Sequence, residues 1–261
     1  MSTVQRFRSV LLSVSVISLT LQAFSLSAQS NVASDAWKQV EAALGRSGSM
    51  QPGDVYKFSM PRKDLNVTVE GTPIKPGLAL GSWVAFKRMG SEAMVMGDLV
   101  LTEDEIEPVM LKLQENGIEQ TALHNHLLHE SPRVMYMHVE GRGDAVKLAK
   151  AIGEALALTK TPGQAATTGG TKPTDYGFDT AQVDAILGRK GKDNGGIYQF
   201  GVARAEKITE SGMEIPPSMG TATSINFQPT GNGKAAITGD FVLLGKEVNP
   251  VLRALRQNGI E

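Results

Sequence analysis

The chain predicts an α+β fold in which a domain is duplicated, each copy laying helices on one face of an antiparallel sheet, with the second copy incomplete. Three observations carry that expectation. The segment from Gly97-Asp98-Leu99-Val100-Leu101 to Asn116-Gly117-Ile118-Glu119 aligns without a gap on Gly239-Asp240-Phe241-Val242-Leu243 to Asn258-Gly259-Ile260-Glu261, with 12 of 23 positions identical at an offset of 142 (239 minus 97). Further upstream, Leu44-Gly45-Arg46 answers Leu187-Gly188-Arg189, and Val55-Tyr56-Lys57-Phe58 answers Ile197-Tyr198-Gln199-Phe200. A repeat this long marks a duplicated domain and not a solenoid. Within one copy, finally, the apolar period switches between two and 3.6 residues, as strands and helices in alternation require.

The first element is a leader. Arg6 and Arg8 precede an apolar stretch from Val10 to Phe24 and then small residues at Ser25, Ser27 and Ala28. A charged start, an apolar run too short to cross a bilayer and a cleavage zone predict a signal peptide over residues 1–28. The mature chain is then periplasmic or secreted, with no stable membrane span after cleavage.

The first repeat is expected over residues 34–158. Ser34-Asp35 can cap a helix carrying Trp37, Val40 and Leu44 on one stripe, and Gly45 stops it. Val55 to Phe58, Asn66 to Glu70, Gly81 to Lys87 and Ala93 to Leu101 read as strands between Pro and Gly punctuation. Ile106, Val109, Met110 and Leu113 have helical spacing, with Thr102 or Asp104 as cap and Asn116-Gly117 as stop. Glu119 to Leu128 and Arg133 to Glu140 then read as two strands joined by the short loop His129-Glu130-Ser131-Pro132, and Asp144 caps a last helix. From Gly97 onward the order is strand, helix, strand, strand, helix, which resembles a ferredoxin-like split βαβ unit. Residues 159–173, rich in Thr, Gly and Pro, are expected to be an exposed linker. Residues 174–261 form the second repeat, which ends at the counterpart of Glu119 and so reads as truncated at its C-terminus.

Composition narrows the function. The 261 residues are 41% hydrophobic and 20% charged, an ordinary globular balance. A net charge of -1 and the lack of any Lys/Arg run argue against a nucleic-acid partner. With no cysteine there is no disulfide, no thiolate and no lipid-accepting residue, so any metal must be held by nitrogen and oxygen.

All four histidines fall between residues 118 and 140, and short His tracts are a metal-binding signature. Strand alternation places Ala122, His124, His126 and Leu128 on one face and Leu123, Asn125 and Leu127 on the other. In the next strand Val134, Tyr136, His138 and Glu140 share a face, so Leu123, Leu127, Met135, Met137 and Val139 become the apolar set that helices would cover. His124, His126 and His138 are therefore candidate ligands for one divalent metal, zinc or copper before others, with Glu130 and Glu140 as candidate catalytic bases. The spacing His124-x-His126-x-x-x-Glu130 is similar to the first metal motif of cupins, though no second cupin motif follows. If the protein is an enzyme, this set fits a metal-dependent hydrolase. A metal-free binding cleft and a purely structural histidine cluster remain alternatives. The expected partner is a small molecule or the metal itself, with an envelope protein as a further candidate.

Gly97-Asp98-Leu99-Val100-Leu101, Asn116-Gly117-Ile118-Glu119-Gln120-Thr121-Ala122-Leu123-His124-Asn125-His126-Leu127 and Pro132-Arg133-Val134-Met135-Tyr136-Met137-His138 resemble the LppY/LpqO family of exported proteins, named after mycobacterial lipoproteins. The resemblance spans both repeats and implies export; the missing lipid-accepting cysteine departs from it and points to a soluble periplasmic form. It implies no reaction.

Overall fold

The computed structural model of the chain describes residues 35–163 and 174–261, so the leader expected over residues 1–28 and the linker residues 164–173 lie outside the described residues. Helix α1 (35–44) opens the first repeat, and Gly45, at φ +71°, ends it in the left-handed conformation that glycine adopts without strain. Then follow β1 (Ser49–Gln51), β2 (Val55–Pro61), β3 (Thr68–Val69), β4 (Thr72–Pro73), α2 (Pro76–Ala79), β5 (Gly81–Met89) and β6 (Glu92–Thr102). The repeat closes with α3 (Glu103–Glu115), β7 (Glu119–His124), β8 (Glu130–Ser131), β9 (Val134–Gly143) and α4 (Ala145–Leu156).

Six of these strands form one antiparallel sheet in the order β1-β2-β5-β6-β9-β7. Since β9 lies between β6 and β7, the unit β6-α3-β7 is a split βαβ crossover with a third strand inserted. Period two then divides the sheet. Leu99, Leu101, Met137 and Val139 face α1, α3 and α4 in the main core, against Val40, Val109, Leu113, Leu148 and Ile152. The helices start where expected: the Glu105 carboxylate accepts from Thr102 N at 3.0 Å for α3, and Asp144 accepts from Lys147 N at 2.9 Å for α4.

The second repeat contains α5 (Thr180–Leu187), β10 (Lys192–Asp193), β11 (Tyr198–Ala203), β12 (Thr209–Glu210), β13 (Met213–Glu214), a 3-10 turn (Pro217–Met219), β14 (Ala222–Gly231), β15 (Lys234–Asp240) and α6 (Gly245–Gln257). Its main sheet runs β10-β11-β14-β15, and its ladder repeats that of the first copy: Ser224 lies opposite Asp240 as Trp83 lies opposite Asp98. This copy covers the helix-free face of the first sheet. Ile197 and Ala236 join Val67, Ile74, Val100, Val134 and Tyr136 in one cluster, and Ile215 and Met219 join Val55, Ala85 and Met94 in another. Polar side chains fix the join, with Gln228 donating to Pro73 O at 2.7 Å and accepting from Lys75 N at 2.8 Å.

The structure corrects four expectations. The strand expected from Asn66 to Glu70 shrinks to Thr68–Val69. The strand expected to run to Leu128 stops at His124: the Glu130 carboxylate takes Val134 N, the next amide on β9 beyond the ladder, at 3.3 Å. Glu130–Ser131 leaves the hairpin and pairs with Thr68–Val69 instead. Two residues of the set assigned to the helix face are consequently elsewhere: Leu123 is 41% exposed, and Leu127 packs onto the cluster between the repeats. The start of the linker is not an exposed connector, because Arg46 donates to Pro162 O at 2.7 Å, Glu105 accepts from Lys160 N at 2.8 Å, and Thr161 is buried.

Candidate metal centre

Strand register assembles the site. Ala122 lies opposite His138 on β9, and His138 lies opposite Asp98 on β6, so the three form a row across the sheet. One step along, His124, Tyr136 and Val100 form the next row on the same face. His126, two residues beyond the end of β7, turns back so that its ring lies 4.7 Å from that of Tyr136 and 5.9 Å from that of His124. The three candidate ligands are thus brought together around one tyrosine, on the face turned to the second repeat. From that repeat comes Asp240, whose Oδ2 is 3.5 Å from His126 Nε2.

The ring nitrogens point inward. Asn125 O, which can only accept, is 2.9 Å from His124 Nδ1, so this nitrogen donates and Nε2 is left facing the cluster. That Nε2 stands 3.2 Å from His138 Nε2, which is also 3.7 Å from Asp98 Oδ2. Among the described residues, no three His, Asp or Glu side chains stand as a ready-made metal cage; the donors meet in pairs.

Three buried side-chain oxygens among the described residues have no hydrogen-bond partner: Asp98 Oδ1, Glu130 Oε2 and Tyr136 Oη. All three belong to this site. Burial pushes the Asp98 carboxyl above the usual carboxylate range against the pull of the three imidazoles. Burial likewise raises Glu130 and, reinforced by the charges of Glu130 and Asp98, the Tyr136 phenol. His126 goes the other way: burial disfavours its charged ring, but Asp240 and Asp98 outweigh that and hold its pKa above the ordinary value. The bond to His126 keeps Asp240 below the usual carboxylate range. Nearby, Lys57 donates to Ser218 O at 3.2 Å and lies 3.9 Å over the Trp83 ring; burial lowers it to about 8 against the attraction of Asp98.

Of the two candidate bases, Glu130 reaches the cluster, close enough for its charge to act on Tyr136 and for His126 to act on it. Glu140 shares the face of His138 but turns to Arg142 at 3.3 Å, and burial followed by the charge of Glu210 raises its pKa. His129 is exposed at a turn with φ +57°. The residues that sequence reasoning left out are Tyr136, Asp98 and Asp240. Tyr136 had been placed on the right face, and both aspartates had a signal in the repeated Gly-Asp of the two copies. A lone carboxylate within the apolar run from Val95 to Leu101 was a second signal for Asp98.

Residues 38–158 and 181–261 match a family described as Domain of Unknown Function (DUF1259), in two regions that together span well over half of the chain. The chain belongs to the DUF1259 family. The two matched regions of this DUF1259 chain coincide with its two repeats, and the histidine cluster falls inside the first. Searches of curated proteins and of solved structures return no match. Among the described residues, no helix is long and apolar enough to cross a membrane.

Proposed function

We propose that this DUF1259 chain is an LppY/LpqO-like protein, exported to the periplasm or beyond, that binds one divalent metal ion, zinc or copper, between its repeats. The ligands are His124, His126 and His138, with Asp98 and Asp240 supplying carboxylate oxygens. The observation that carries the reading is that all three unpartnered buried side-chain oxygens of the described residues sit at the histidines, since such atoms cost about 1–3 kcal/mol each when nothing answers them. One pair of donors stands at a spacing that a zinc ion accepts. Two neighbouring nitrogens on a tetrahedral zinc, each about 2.0–2.1 Å from it, are roughly 3.3 Å apart, and His124 Nε2 and His138 Nε2 are 3.2 Å apart. A cation there would also offset the repulsion between the Asp98 and Asp240 carboxylates.

One observation favours a hydrolase over a passive metal carrier. Glu130 presents a buried, unpartnered oxygen whose proton affinity burial has raised, which suits a carboxylate that takes up and returns a proton. The ion would supply Lewis acidity beside it. Glu140, held by Arg142, is the weaker candidate for that role.

Calorimetric titration with zinc sulfate and with copper sulfate tests the proposal, using the natural chain beside His124→Ala/His126→Ala. Roughly one ion per chain is expected for the natural protein and at least a tenfold weaker association for the double variant. Matching thermal melts without metal would show that the variant is folded. Equal and negligible uptake by both proteins rejects the metal and leaves a metal-free envelope binding or structural protein.

A further inference from the structure

A concavity lies between the repeats, beside the apolar cluster that contains Tyr136. Its volume is about 790 Å³, and its walls are the segment from Pro61 to Gly77 and the turn at Asn194-Gly195. This size is within the roughly 300–1,000 Å³ that small-molecule sites occupy. The floor is apolar, made by Leu65, Val67 and Ile74, the last two buried in the inter-repeat cluster. The walls are held in place: Gln228 grips Pro73 O and Lys75 N, and at Gly77 a Cβ would come within 2.7 Å of Asn194 O, so the two repeats approach as closely as glycine allows.

The charge at the mouth has one sign. Lys63 and Lys75 line it, neither ammonium has an ion pair or hydrogen bond with a described residue, and no Asp or Glu is among the lining residues. The nearest carboxylate in sequence, Asp64, is already committed to Arg62 at 2.8 Å. An apolar floor beneath two uncompensated ammonium groups is complementary to an organic anion with an apolar tail.

We propose that this cleft binds a single-chain amphiphile with an anionic head, the tail lying on Leu65, Val67 and Ile74 and the head between Lys63 and Lys75. The site is separate from the histidine cluster and stands whether or not the histidines hold a metal. The two are nevertheless mechanically joined, since β3, which supplies Thr68 to the cleft, pairs with β8, which carries Glu130.

The test is calorimetric titration of the full chain with dodecanoate, dodecyl phosphate and dodecyltrimethylammonium, each kept below its micelle concentration. Saturable binding of the anions and none of the cation is expected, and the tighter anion tells whether a fatty carboxylate or a lipid phosphate is the source. Lys63→Glu/Lys75→Glu should weaken anion binding at least tenfold, and Asn66→Trp, which puts an indole over the floor from an exposed position, should abolish it with the thermal melt unchanged. The proposal is overturned by any of three results: no anion binding, equal binding of the cation, or binding that both variants leave intact. Zinc uptake measured alongside stays normal in both variants, which separates failure here from failure at the histidines.

Discussion

The two repeats contain the same arginine clamp in different surroundings. Arg62 holds Glu105 at 2.7 and 3.1 Å and donates to Val100 O at 2.6 Å, while Arg204 holds Glu247 at 2.7 and 3.1 Å and donates to Val242 O at 2.9 Å. Asp64 and Glu206 complete the two sets. Yet the side chains of Arg62 and Glu105 are 0% and 5% exposed, against 13% and 31% for Arg204 and Glu247. The helices beside them differ in the same sense. Glu105, Val109 and Leu113 of α3 are buried, whereas α6 buries no residue. In the first repeat β7, β9 and α4 close over α3; among the described residues nothing equivalent covers α6. Hydrogen-bond geometry is therefore set by the fold that the two repeats share, and burial by what packs on top of it.

The largest consequence concerns the arginines. Removing one partner of a buried ion pair strands a charge, so Arg62→Ala is expected to lower stability by about 3–5 kcal/mol. Arg204→Ala removes identical bonds from a solvated site and should cost far less. Urea unfolding of both variants checks this; equal losses would show that the bonds themselves, and not their burial, determine the cost.

The apolar equivalents come next. Leu113 and Leu255 occupy the same place in α3 and α6 at the 142-residue offset (255 minus 113), but Leu113 is fully buried and Leu255 half-buried. Leu113→Ala should cost about 2–5 kcal/mol from lost transfer energy and the cavity left behind. Leu255→Ala should shift the urea midpoint much less. A similar shift in both would mean that α6 is covered in solution.

That contrast also explains what could be read in advance. Helix α3 was legible because Ile106, Val109, Met110 and Leu113, the cap at Thr102 and the stop at Asn116-Gly117 are all local signals. The shared face of His124 and His138 was legible from period two alone. His126 was not: β7 ends before it, so its place beside Tyr136 comes from a turn that alternation cannot describe. Nor was Asp240, which reaches His126 from another repeat, 114 residues away (240 minus 126), through docking that no periodicity encodes. Leu127 was misplaced for the same reason, its apolar character being equally suited to either side of the sheet.

The smallest expected effect is the sharpest discriminator of the two clamps. Both glutamates titrate below the ordinary range, Glu247 at about 2, so each contributes stability that is present above the unfolded-state pKa and lost as pH falls through its lowered folded value. The causes differ in order. For Glu105 the largest influence is burial, which raises the pKa and is overcome by Arg62 together with the Lys160 and Thr102 amides; for Glu247 the Arg204 bond comes first and burial is minor. Replacing the arginine by glutamine removes the charge and keeps a donor. In Arg62→Gln, burial then prevails and Glu105 should titrate above the ordinary glutamate value of about 4.3, whereas in Arg204→Gln, Glu247 should return to near or just below it. Carboxyl carbon shifts followed by NMR over an acid titration read both directly. If the two glutamates move to the same side of the ordinary value, the difference in burial between the repeats does not govern their clamps.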